Sequence, residues 1–122
     1  LSSGESEFYA IVKAAAIGLQ IRALLEDWGY EVSPNIYTDS SAACGTCARR
    51  GLGKLRHVQT RYLWVQERVQ RNEIKITKIG TKDNPSDMCT KPLASEPLKG
   101  FMQKTSHYFR AGRAEYAKRL VD

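Results

Sequence analysis

An α/β fold is what this sequence predicts, and three observations predict it. Tyr37-Thr38-Asp39-Ser40-Ser41-Ala42-Ala43 reads as a short strand that ends in an acid and passes at once into a small-residue helix start. Glu73 to Ile79 alternates as a second strand, with Ile74 and Ile76 on one face. Helical periodicity fills the chain before, between and after them, and a strand–helix–helix–strand–helix order implies crossover connections and parallel pairing. In open sheets of this kind a carboxylate at the carboxyl end of a strand points into the crevice where ligands bind.

The first helix opens on Ser2-Ser3-Gly4-Glu5, an S-x-x-E capping box. Phe8, Ile11, Val12, Ala15 and Leu19 follow at helical spacing, then Ile21, Leu24, Leu25 and Trp28. Gly29 suits the left-handed position that ends a helix. Glu5 and Glu7 lie in the first turns, where the helix dipole favours acids. Residues 30–34 form a loop closed by Pro34, and Asn35 to Asp39 is the first strand. Ser40 to Arg50 is a short helix stopped by Gly51 and Gly53, and a further amphipathic helix carries Val58, Tyr62, Val65 and Val69. Gly80 to Pro85 is a polar turn after the second strand. Pro85 fits the first position of a new helix capped by Asn84 and ended by Pro92. Residues 96–121 read as helical with a break at Gly112, and Trp28 and Trp64 read as core.

At 122 residues the chain is one domain or part of one. A hydrophobic fraction of 42% argues against global disorder. No apolar run approaches the roughly 20 residues of a membrane span, and the start lacks the pattern of a signal peptide, so no membrane partner is expected. Charge is uneven: residues 1–48 carry two basic residues against six acids, whereas residues 49–122 carry 17 against seven. Such asymmetry suits a polyanionic partner, or a solvated basic half. Cys44 and Cys47 form a C-x-x-C pair without the second pair a zinc site needs, so they read as core residues on one helix face. The odd cysteine count fits an intracellular, reduced protein.

Four motifs, in order, carry a resemblance. They are Ser3-Gly4-Glu5-Ser6-Glu7-Phe8-Tyr9-Ala10, the strand ending in Asp39, the stretch Lys54-Leu55-Arg56-His57-Val58-Gln59-Thr60-Arg61-Tyr62, and the run Asp83 to Leu93, which ends in Thr-Lys-Pro-Leu. Together they resemble the later part of the ribonuclease H domain of copia-type retrotransposon Pol polyproteins, over about residues 1–100. The resemblance implies a ribonuclease H-like fold with a truncated mixed sheet flanked by helices. It makes the 122 residues one partial domain, with core motifs in 1–93 and a basic helical tail in 94–122.

The resemblance also implies a chemistry. Glu7, Asp39 and Asp87 take the family's acidic places and would hold magnesium, with manganese as the alternative, to cut the RNA strand of an RNA–DNA hybrid. Two-metal hydrolysis needs several carboxylates around ions roughly 3.5–4 Å apart, and magnesium prefers such hard oxygen ligands. Arg49, Arg50, Lys54, Arg56 and Arg61 are candidates for phosphate contact, which positions a duplex without reading its sequence. His57 takes a structural or backbone-contact place, and Ser41 stands where the family commonly has Gln in the nucleic-acid groove. The family's opening strands, one of which bears a further catalytic Asp and lies beside the strand ending in Asp39, have no counterpart in these 122 residues. The loop Gly80 to Asn84 has no His before the last acid. The expectation is therefore a fragment of a longer reading frame, inactive as a nuclease by itself, that works with the rest of the Pol polyprotein and its reverse transcriptase. Two further readings stand: a non-catalytic nucleic-acid-binding remnant of the same fold, and a basic α/β module that binds an acidic protein.

Overall fold

The computed structural model describes residues 3–51 and 62–108. It forms two compact units, Leu1–Asn84 and Pro85–Asp122. The first is α/β: α1 (Ser3–Asp27), β1 (Asn35–Thr38), α2 (Ser41–Ala48), α3 (Trp64–Gln70), β2 (Lys75–Lys78) and a 3₁₀ turn (Thr81–Asp83). The second holds α4 (Asp87–Thr90) and α5 (Ser95–Lys104). Ser2, Gly53, Val58 and Gly112 lie outside the described residues, as does the chain from residue 109 on.

β1 and β2 pair in parallel, with Asn35 beside Lys75 and Thr38 beside Lys78. A parallel pair cannot be closed by a tight turn, so the chain crosses over through α2 and α3. Among the described residues the sheet has only these two strands, and the other edge of β1 carries no ladder.

The α1 helix ends as its glycine predicts. Gly29 has φ 85°, its N–H donates to Glu26 O, and the Tyr30 N–H reaches back to Leu25 O. These paired bonds form the Schellman arrangement, in which a left-handed residue lets the last carbonyls find donors. The α2 helix starts on local chemistry too. Ser40 Oγ accepts from the Ala43 N–H at 3.2 Å, and Thr38 Oγ1 accepts from the Ser40 N–H at 3.2 Å. Such side-chain acceptors satisfy donors that have no partner inside a new helix.

The first half of α1 supplies the core. Phe8, Ile11, Val12 and Ala15 are buried together with Ala43, Cys47, Val65 and Ile74, and Leu19, Tyr62 and Trp64 pack on them half-buried. The two helix starts touch closely: a Cβ placed on Gly4 would stand 3.3 Å from Ala42 Cβ. Further along, a Cβ on Gly18 would meet Pro34 Cβ at 3.0 Å, so the small residue lets α1 cross the chain entering β1.

Several expectations are corrected. The apolar stripe of α1 continues past Leu19, but Ile17, Ile21 and Leu24 are about half exposed and Trp28 is 67% exposed. Trp28 is thus not a core residue: the helix stops one residue earlier, and no described element covers that end. By length and composition alone α1 could cross a membrane, at 25 residues with a mean hydropathy of 1.5 over its most apolar window. The sequence expectation that no segment reaches that threshold was too strict, although the half of α1 that carries Phe8 packs as a core helix does. The helix after Pro85 is shorter and later than its cap signal suggested. Met88 N–H donates to Pro85 O and Cys89 N–H to Ser86 O, so a tight turn precedes α4 and Ser86, not Asn84, occupies the cap position.

Cys47 is fully buried and Cys44 half-buried, in keeping with one helix face turned to the core. Burial, with the neighbouring Cys44 thiol adding to it, pushes the Cys47 thiol up to about 12. Its folded value lies above the unfolded one, so the stabilisation is full below the ordinary thiol range and is lost as pH climbs from there toward 12. Unfolding followed against pH should therefore show falling stability through that alkaline window, and Cys47→Ala should flatten it. A maleimide probe at neutral pH should label the exposed Cys89 first and reach Cys47 only on unfolding.

Candidate metal centre and nucleic-acid interface

The parallel sheet presents Asp39 at the carboxyl end of β1, half-buried and directly before the α2 cap. Glu7 is half-buried on α1, one turn beyond the Gly4–Ala42 contact, while Asp39 lies three residues before that same contact. Both acids thus belong to the end of the first unit where the α1 and α2 starts meet. Glu5 is more deeply buried than Glu7, at 6% exposure.

Asp87 belongs to the second unit. It is the first residue of α4, and its Oδ1 accepts the Lys91 ammonium at 2.9 Å. Carboxylate oxygens have the right chemistry for magnesium, but the number falls short. Among the described residues no group of three or more His, Cys, Asp or Glu side chains is placed to hold a metal ion.

Lys78 was not singled out in the sequence, and it stands beside this end of the sheet. The β1–β2 register sets it opposite Thr38, next to Asp39, and its Nζ donates to Ser41 Oγ. The parallel register is the signal that would have found it, since pairing Asn35 with Lys75 places Lys78 there automatically.

The basic turn after α2 is built by α3. Gly51 has φ 78°, a left-handed conformation that glycine adopts without strain. Gln66, buried on α3, accepts from the Gly51 N–H at 2.8 Å and donates Nε2 to Thr46 O at 2.8 Å and to Gly51 O at 3.0 Å. One turn on, Gln70 Oε1 accepts from Arg50 Nε at 2.8 Å. Arg50 is exposed, and Arg49 is half-buried. Lys54, Arg56, His57 and Arg61 lie outside the described residues. Elsewhere on the first unit, Arg68 pairs with Glu73, holding the Glu73 carboxyl below its ordinary range and the guanidinium above its own.

A groove of about 490 Å³ lies away from the acids, between the second half of α1 and residues 32–36. Ile17, Ile21, Leu25, Val32 and Ile36 help to line it.

No family model matches the chain, and no solved structure matches it. Curated proteins do. The retrovirus-related Pol polyprotein from transposon TNT 1-94 of Nicotiana tabacum is 29% identical over 93 residues, 75% of this chain. Those from transposons RE2 and RE1 of Arabidopsis thaliana are 27% and 26% identical over 106 residues, 84% of the chain. The chain spans only 7% of the length of each of these relatives. Its homologues are therefore retrovirus-related Pol polyproteins of plant transposons, and the chain corresponds to a small part of such a polyprotein.

The Gln66 clasp has a measurable consequence. Gln66→Leu keeps the volume but strands the Thr46 and Gly51 carbonyls and the Gly51 N–H. Chemical denaturation should show a loss of about 1–3 kcal/mol, the usual cost of unsatisfied buried polar groups. An unchanged midpoint would mean that water replaces the amide without loss.

Proposed function

We propose that this chain is part of a retroelement ribonuclease H domain, which in its complete form hydrolyses the RNA strand of an RNA–DNA hybrid. The observation that carries the reading is the placement of Asp39. It directly follows a strand of a parallel pair, at the same end of the unit as Glu7, in a chain whose homologues are transposon Pol polyproteins. The order of the acids Glu7, Asp39 and Asp87 and the wording of the motifs around them add to it.

In this reading Glu7 and Asp39 hold magnesium together with an acid brought by an opening strand, and Asp87 keeps the last acidic place in the order of motifs. That strand would also pair with the edge of β1 that carries no ladder among the described residues. An uncovered edge is a site of wrong pairing, and a two-stranded sheet is marginal alone. The basic turn at Arg49 and Arg50, with Lys78 and Ser41, meets the phosphate backbone. A hybrid would be held by its shape and its 2′-hydroxyls and not by base sequence.

The test joins the chain to the preceding polyprotein segment of a relative and compares it with residues 1–122 alone. Only the extended chain should cleave the RNA strand of a hybrid in the presence of magnesium, and Asp39→Asn should abolish cleavage while leaving binding in place. Binding itself should weaken steeply with salt, because each phosphate contact releases counterions. Salt-sensitive binding without cleavage in the extended chain would select the non-catalytic module instead. Salt-insensitive association would point to a protein partner.

A further inference from the structure

Four of the described arginines on the first unit are held in two different ways. Arg22, Arg68 and Arg71 each pair with a carboxylate, of Glu26, Glu73 and Glu67 respectively, so their charge is largely answered within the fold. Arg50 is also held, but by the neutral amide of Gln70 at its Nε. The backbone under it is fixed as well, because Gln66 clasps Gly51 from both sides of the peptide and ties it to Thr46. Gln66 and Gln70 are four apart on α3 and so share one face of that helix.

We propose that Gln70, backed by Gln66, is a positioning residue that holds Arg50 ready to contact a nucleic-acid phosphate. This rests on the nucleic-acid reading above. A carboxylate in place of the amide would orient the guanidinium equally well but would cancel the charge that a phosphate needs. The amide takes only Nε, and among the described residues both terminal nitrogens are left to donate to phosphate oxygens, which arginine can bind in a bidentate way. Fixing the side chain beforehand also removes ordering entropy from the binding step. Arg50 is exposed, as a contact residue must be, and Gln70 is exposed too, so replacing it disturbs little of the core.

The experiment uses the full chain and a fluorescein-labelled RNA–DNA hybrid, with affinity read by anisotropy across a salt series. Arg50→Ala should weaken binding and lower the steepness of the salt dependence by about one phosphate contact. Gln70→Leu should weaken binding roughly twofold to tenfold, the range expected from releasing one ordered long side chain, with thermal unfolding unchanged. Gln70→Glu should weaken binding at least as much, because it neutralises the arginine while still holding it. In the Arg50→Ala background Gln70→Leu should have no further effect. If Arg50→Ala weakens binding and Gln70→Leu does not, or if the two losses simply add, the positioning role is overturned while the phosphate contact stands. If Arg50→Ala has no effect although the chain binds hybrid, the contact and its positioning both fall. If the unaltered chain does not bind hybrid at all, it is the nucleic-acid reading that fails.

Discussion

The first unit depends on the seating of the α1 helix through Phe8. Its side chain is fully buried in a core shared with Ala43 and Cys47 of α2, Val65 of α3 and Ile74 just before β2, so elements far apart in sequence form one cluster. Burying such a side chain is worth about 1.5–3 kcal/mol, a large share of a domain's net stability of about 5–15 kcal/mol. Gly4 eases the seating at the helix starts, where a Cβ would stand 3.3 Å from Ala42 Cβ, tighter than an ordinary contact. The same contact that stabilises the core also brings the first turns of α1, with Glu7, to the end of the sheet where Asp39 stands. Packing and site geometry are therefore one constraint here.

The α3 helix makes a similar double contribution. Val65 faces the core, while Gln66 reaches the other way and closes the turn that follows α2. A buried amide that satisfies three backbone groups defines the path of the chain more sharply than apolar contact does, because each bond has a direction. The basic turn is accordingly part of the folded unit and not a loose appendage to it.

What could be read in the sequence was mostly local. The helix start just after Asp39, the Gly29 stop and the alternation around Ile74 and Ile76 depend on residues within a few positions of each other, and each was legible. The exposure of Ile17, Ile21, Leu24 and Trp28 was not, because periodicity reports that a helix has an apolar face and is silent on what covers it. The start of α4 was misplaced since Pro85 suits a tight turn as well as a first helical turn. At the site, Glu7, Asp39 and Asp87 stood out by motif wording. Lys78, Gln66 and Gln70 did not, since their roles arise from strand register and from contacts 15 to 37 residues apart.

The central claim is that Glu7 and Asp39, both on the first unit, serve one metal centre. Paramagnetic broadening by manganese, read residue by residue in amide spectra of the chain joined to the preceding polyprotein segment, tests it most directly. The account predicts that signals at Glu7 and Asp39 fade together, at the lowest manganese additions, and recover when magnesium competes. Broadening that begins at other acids such as Glu26 and Asp27, or that reaches one of Glu7 and Asp39 without the other, would contradict it.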